Sequence, residues 1–216
     1  MKLIGLTGKA GAGKSTAACF LEALGFKSVA FADPLKRIAR DVFGFTREQL
    51  WGPSAMRNAP DHHYPREHTW VRLDDVYDAC ACCGVETAPT PVAMGHAPSP
   101  PQCYLTPRYA LQTLGSEWGR DCYEHVWVDH GLRVAEALLG GDRRYDLEVG
   151  LIVDPTTPAR TAPPRGVAFS DVRFGNEVAR LLARGVRVCL LERPGAGLAG
   201  AAGMHASEAS IDPSQV

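Results

Sequence analysis

The sequence carries no surplus of charge of either sign. Lys and Arg number 23 against 24 Asp and Glu in 216 residues, a formal net charge of −1. Nothing electrostatic therefore draws the chain toward nucleic acid or an anionic membrane. No apolar run approaches the roughly 20 residues that span a bilayer. The first residues read directly as a strand, without the basic and apolar regions of a signal peptide, so a cytoplasmic protein is expected. No Asn-Lys-x-Asp element occurs, which removes the guanine-reading part of a GTPase switch. The seven cysteines lack the paired CxxC motifs of a full zinc ribbon. In a cytoplasmic chain they argue for thiols or a metal rather than a disulfide framework.

What the chain does have begins at its start. Gly8-Lys-Ala-Gly-Ala-Gly-Lys-Ser-Thr16 follows the apolar run Leu3-Ile-Gly-Leu6, a complete GxxxxGK[ST] phosphate loop between a strand and a helix. Glycines let consecutive backbone N–H groups converge on phosphate oxygens, and the positive end of the following helix adds to the attraction. Gly8, Ala10, Gly11, Ala12, Gly13, Lys14, Ser15 and Thr16 are the expected ATP-binding residues. Lys14 is placed to reach the β- and γ-phosphates, and the Ser15 hydroxyl to ligate Mg²⁺. A glycine-rich turn with a chance lysine is the bland alternative.

The pattern around the loop is β–α–β–α: a strand at about 2–7, a helix from Lys14 to Leu24, a strand over Ser28–Ala32, and a helix from Pro34 to Phe43. Pro34 suits a first helical turn, and Gly25 and Gly44 suit helix ends. The same grammar returns later, with a strand over 166–170, a helix from Asn176 to Arg184 and an apolar strand over 186–192. Near-continuous apolarity fits parallel strands covered on both faces. The expected fold is α/β, a doubly wound parallel sheet of the P-loop nucleotide-kinase type, with ligands at the carboxyl ends of the strands. The whole chain, 1–216, reads as one domain. Residues 107–139 are expected to hold two helices, with Ala110, Leu111, Leu114 and Trp118 on one face. Residues 51–104, rich in proline and poor in periodicity, read as an inserted, loop-rich, lid-like module on the acceptor side.

Asp171 ends a predicted strand, the position of a second Mg²⁺-associated acid, and opens Asp171-Val-Arg-Phe-Gly-Asn-Glu177. A helix cap with a surface ion pair is the competing reading of that segment. Arg108, Arg120 and Arg173 are candidates for the positive clamp that phosphoryl transfer requires, and Arg193 for the triphosphate side.

Several longer segments share a resemblance. Thr106-Pro-Arg-Tyr-Ala-Leu-Gln-Thr-Leu-Gly-Ser-Glu-Trp-Gly-Arg120, Trp127-Val-Asp129, Asp171 to Glu177, Glu192-Arg-Pro-Gly195 and His205-Ala-Ser-Glu208 together resemble the deoxynucleoside monophosphate kinases of tailed phages. The resemblance covers residues 1–58 and 104–211 in the family's order. It implies transfer of the γ-phosphoryl of ATP to a dNMP in the cytoplasm of a phage's host, with Mg²⁺ as cofactor and a homodimer as the assembly. The catalytic residues it implies are Lys14, Arg108, Asp171 and Arg173. Asp33, Lys36, Arg108, Gln112, Arg120, Asp171, Arg173 and Glu177 would face the dNMP, with Trp127 against its nucleoside and Trp51 and Arg57 in a flap. Family members continue past the equivalent of Val216 with a further strand and helix that help to hold the donor adenine. A P-loop kinase of another small phosphate ester and a non-catalytic nucleotide-binding regulator are the alternatives.

The insertion contains Cys80-Ala-Cys-Cys-Gly84, whose CxxCG knuckle presents two thiolates, with His96 and Cys103 beyond it. Cys80, Cys83, His96 and Cys103 are the candidate ligands of a structural Zn²⁺. Free thiols are the competing reading.

Overall fold

A computed structural model describes residues 2–72, 78–87, 102–141, 143–152, 162–197, 211 and 214. The chain opens with β1 (Leu3–Thr7), α1 (Lys14–Ala23), β2 (Phe26–Val29) and α2 (Asp33–Phe43). Two short helices follow, α3 (Arg47–Trp51) and α4 (Ser54–Asn58). Then come the small strands β3 (Asp61–Arg66), β4 (Trp70–Arg72), β5 (Asp78–Cys80), β6 (Glu86–Thr87) and β7 (Cys103–Leu105). Next are α5 (Pro107–Thr113), a π-helical stretch (Leu114–Arg120) and α6 (Val126–Leu139). A hairpin of β8 (Arg144–Asp146) and β9 (Gly150–Ile152) leads to β10 (Gly166–Val172), α7 (Gly175–Ala183) and β11 (Arg187–Leu190).

The central sheet is parallel and four-stranded, in the order β11-β1-β10-β2. Leu3 pairs with Val167 and Ile4 with Arg187, so β1 and β10 form the middle. Both are apolar where they are covered: Val167, Ala168 and Phe169 are fully buried. The strand expected to be apolar and covered on both faces, 186–192, is instead the short edge strand β11, Arg187–Leu190, with Arg187 exposed; the covered strand is β10. The helix α6 lies close against this sheet because Gly131 has no side chain; a Cβ there would meet the Phe31 ring at 2.5 Å. Phe31 in turn packs on Phe169, ring centroids 5.1 Å apart.

Two local expectations are corrected. The second strand ends at Val29 rather than continuing to Ala32, because the N–H groups of Phe31 and Ala32 donate to the Asp171 carboxylate at 2.6 and 3.0 Å. The chain leaves the ladder there and turns into α2. Trp118 does not join Ala110, Leu111 and Leu114 on an inward face; it is 59% exposed. The cause is the π-helical turn from Leu114, whose i→i+5 bonding breaks the 3.6-residue periodicity on which that face was drawn.

The tract between α4 and α5 carries its own small sheets. β3 pairs antiparallel with β7, and β4, β5 and β6 form a second antiparallel sheet. Its described apolar centre is Cys80, Cys82 and Cys103, with Cys83, Leu105 and Tyr109 against them.

Candidate functional site

The glycine-rich loop leaves β1 and enters α1 in a conformation that only glycine adopts readily. Gly8, Gly11 and Gly13 have φ of 137°, 80° and 100°. Gly8 is also pressed against β11's exit: a Cβ there would sit 2.2 Å from the Leu191 carbonyl oxygen. The Lys14 ammonium folds back over the loop, donating to the carbonyls of Gly8 and Lys9. Ser15 and Thr16 lie in the first turn of α1 and are exposed. The segment carrying Arg193 reaches the same loop, where the Gly197 N–H donates to the Ala10 carbonyl at 2.9 Å. A flexible backbone cradle, a lysine and the amino end of a helix thus share one strand end, the arrangement that holds phosphates.

Asp171 stands at the carboxyl end of the neighbouring strand. Burial pushes its pKa up, partly offset by the Arg173 charge and by the two backbone donors on α2's approach. The carboxylate therefore clamps the start of α2, and each oxygen keeps a lone pair for a further partner.

A second feature is cationic. Burial lowers the pKa of Arg57, and the charges of Arg108 and Arg173 lower it further. Arg57 therefore lies within electrostatic reach of both Arg108 and Arg173. Arg108 is braced from α4, donating to the Asn58 side chain and to Ser54 Oγ at 2.9 Å. Arg57 donates to the Gly52 carbonyl at 2.6 Å. Like charges held near one another favour an anion, and carboxylate and phosphate both match planar guanidinium forks. The Gln112 amide nitrogen is buried with no partner among the described residues, a donor left for something else.

Beside it, Asp33 is buried at the head of α2. It accepts from Tyr145 OH at 2.8 Å, from the Trp51 indole at 3.3 Å and from the Ala30 N–H at 3.2 Å, and lies 3.5 Å from Lys36 Nζ. Lys36 also sits over the Trp51 ring, 5.6 Å from its centroid. Asp33 thereby fixes Lys36 and Trp51 rather than presenting a free carboxylate.

Other expected site residues are placed differently. Arg120 and Glu177 pair with each other at 2.6 Å, and the guanidinium stacks on Phe174 at 3.5 Å. Glu177, 2% exposed, also accepts from the N–H groups of Arg173 and Phe174. Glu177 thus caps the start of α7, but its ion pair with Arg120 is buried rather than on the surface, and together they hold the segment bearing Arg173. Trp127 is a core side chain, 6% exposed, donating from Nε1 to the Gly115 carbonyl at 2.8 Å. Its ring fills the space above Gly119, which leaves at most an edge for a nucleoside.

The cysteines form a separate cluster. Ligand atoms of His68, Cys80, Cys83 and Cys103 all lie within 4.8 Å of one another. Burial works against ionising Cys80, but the N–H groups of Cys83 and Cys82, together with His68, outweigh it and bring its pKa to about 6. Burial pushes Cys83 and Cys103 up. His96 lies outside the described residues. His68 has no recognisable spacing to the knuckle; the pairing of β3 with β7 delivers it, since Arg66 faces Cys103 across the ribbon.

The mixed α/β architecture and the central parallel sheet are compatible with a P-loop kinase fold. No protein-family model matches the chain. One stretch of 65 residues is 43% identical to a protein of Acanthamoeba polyphaga mimivirus that carries the provisional name deoxynucleotide monophosphate kinase. That stretch is 30% of this chain and 34% of the viral protein, so the match spans about a third of that relative's length. Among the described residues, no helix is long and apolar enough to cross a membrane.

Proposed function

We propose that the protein is a deoxynucleoside monophosphate kinase. It moves the γ-phosphoryl of ATP to a dNMP: the bond from the γ-phosphorus to the β–γ bridging oxygen breaks, a bond to an acceptor phosphate oxygen forms, and ADP and dNDP leave. The observation that carries this reading is the pairing of two phosphate-seeking features. One is the glycine loop with Lys14 at the end of β1, and the other is the cluster of Arg57, Arg108 and Arg173.

An acceptor phosphate is already ionised near neutral pH, so no general base is required, and positioning with charge stabilisation suffices. Lys14 and the loop amides hold the donor, and Arg193 approaches it from β11. Lys36, Arg57 and Arg108 hold the acceptor, Gln112 offers it a donor, and Arg173 stands between. Trp51 and Asp33 keep Lys36 in place, while Arg120 and Glu177 keep Arg173 in place. The Ser15 hydroxyl and the Asp171 carboxylate are hard oxygen donors that fit Mg²⁺. Bound there, the ion would neutralise charge on the phosphate oxygens.

One observation favours a second acceptor class. With Trp127 in the core, the described acceptor side reads phosphate better than it reads a base, as a kinase of another small phosphate ester would. Incubation with MgATP and dGMP, dTMP, dAMP or dCMP separates the two. Formation of a dNDP supports the first reading, whereas turnover only with other phosphate esters replaces it with the second.

A further inference from the structure

We propose that His68, Cys80, Cys83 and Cys103 bind one Zn²⁺ that staples the small sheets between α4 and α5 to each other and to the start of α5. The proposal is independent of the kinase reading.

Two of the ligand–ligand distances match a tetrahedral site, and all of them lie within 4.8 Å. Zinc–sulfur bonds of about 2.3 Å at tetrahedral angles put two sulfurs about 3.8 Å apart, and a sulfur and an imidazole nitrogen about 3.6 Å apart. The Cys80 and Cys103 sulfurs are 3.7 Å apart, and Cys83 Sγ is 3.7 Å from His68 Nδ1. A disulfide would need about 2.05 Å, and all the described cysteines are free.

The surroundings suit metal-bound thiolates. The N–H groups of Cys82 and Cys83 point at the Cys80 sulfur, the outer-shell bonding that steadies a thiolate ligand. The Gly84 N–H closes the knuckle onto the Cys80 carbonyl at 2.8 Å, with Gly84 at φ 73°. Three thiolates around one Zn²⁺ leave a net charge of −1, and the Arg66 guanidinium lies beside Cys82 and Cys103. Cys82 is not a ligand: its thiol donates to the Tyr104 carbonyl at 3.0 Å. The soft sulfur-rich set selects zinc over Mg²⁺.

The four ligands come from separate short segments, of which β3 and β7 are also anchored by Tyr64 and Leu105 against Phe45 and Leu50. His68 lies between β3 and β4, Cys80 ends β5, Cys83 is in the turn toward β6, and Cys103 begins β7. Cys103 is three residues before Thr106, whose hydroxyl donates to the Cys82 carbonyl at 3.0 Å and caps α5. A metal here substitutes for an apolar core in a module too small to build one.

The test is metal analysis of the full chain, purified under reducing conditions and challenged with a chelator, beside four variants. About one zinc per chain is expected in the unaltered protein. It should persist in His96→Ala and Cys82→Ser and fall at least tenfold in His68→Ala and Cys83→Ser. Because a ligand variant can lose zinc by misfolding, the unaltered chain is also stripped and titrated with Co²⁺. Intense visible bands of tetrahedral thiolate–cobalt are expected. Absence of zinc from the unaltered chain, zinc that survives the challenge in His68→Ala, zinc lost from His96→Ala, or only the weak bands of octahedral cobalt would each overturn the assignment.

Discussion

The central sheet and the ribbon that follows α4 are held together by different chemistry. In the sheet, Val167, Phe169 and Val172 are shut away from water beneath α6 and α7, with Leu181 of α7 packed in the same cluster. In the ribbon, the buried cluster is three cysteines, and strands of two to six residues pair at its edges. Apolar burial scales with the volume enclosed, so the sheet can stand on it, whereas β3 and β7 reach an apolar cluster only through Tyr64 and Leu105 and the cysteines lie at the centre of the rest. The sheet also carries the donor loop, whereas the segments flanking the ribbon carry Arg57 and Arg108. On the proposed reading, the stable part grips one phosphate and the stapled part frames the other.

The comparison is broken most severely by emptying the sheet. Phe169→Ala removes a fully buried ring and should cost about 3–5 kcal/mol of global stability. Urea unfolding followed by tryptophan fluorescence would show it. A midpoint unchanged from the parent would mean that the sheet is not the stable unit.

Next in size is the donor loop. Lys14→Ala should lower the rate of phosphoryl transfer by roughly 10²–10³-fold while the circular dichroism spectrum and melting temperature stay those of the parent. A collapse of the fold in that variant would recast Lys14 as structural, since it bonds the Gly8 and Lys9 carbonyls.

On the acceptor side, Arg108→Ala should reduce kcat/KM for the acceptor by about 10–100-fold with the KM for ATP little changed. An unaltered acceptor dependence would remove Arg108 from the site. In the ribbon, Cys83→Ser should speed amide hydrogen exchange over 78–87 and 102–105 by about tenfold or more and leave β1 and β10 protected. Equal loss of protection in both regions would erase the distinction between them.

The smallest effect is expected where Asp129 meets Arg180, at 2.9 and 3.0 Å across α6 and α7. The Arg180 hydrogen bond draws the Asp129 pKa below its ordinary 3.8. A depressed carboxylate stabilises the fold above its unfolded value, and that contribution disappears as pH falls through the lowered value. Arg180→Ala should therefore lower the melting temperature slightly at pH 7 and not at all near pH 2. A loss that is the same at both pH values would point to packing instead.

Much of the glycine loop and of the strand and helix around it was legible in the sequence. The loop at 8–16 announces itself by spacing, and the glycines at 25 and 44 follow their helices where expected. These are local properties, fixed within a few residues. What escaped was tertiary. The π-turn that exposes Trp118 depends on packing against α2, where Gly115 meets Leu35. The shortened β2 depends on a carboxylate about 140 positions away. Spacing along the chain offers His96 and says nothing of His68, which the β3–β7 ribbon brings to the cysteines. The pairing of Arg120 with Glu177 and the burial of Trp127 are of the same kind, since a residue type apt for binding is equally apt for a core.

The most direct test of the account follows the label from ATP carrying a marked γ-phosphate, in the presence of Mg²⁺ and each dNMP in turn. The account predicts labelled dNDP with at least one of the four acceptors, together with stoichiometric ADP, and none with Lys14→Ala. Label that appears only as inorganic phosphate, or stays in ATP with every acceptor, would contradict it.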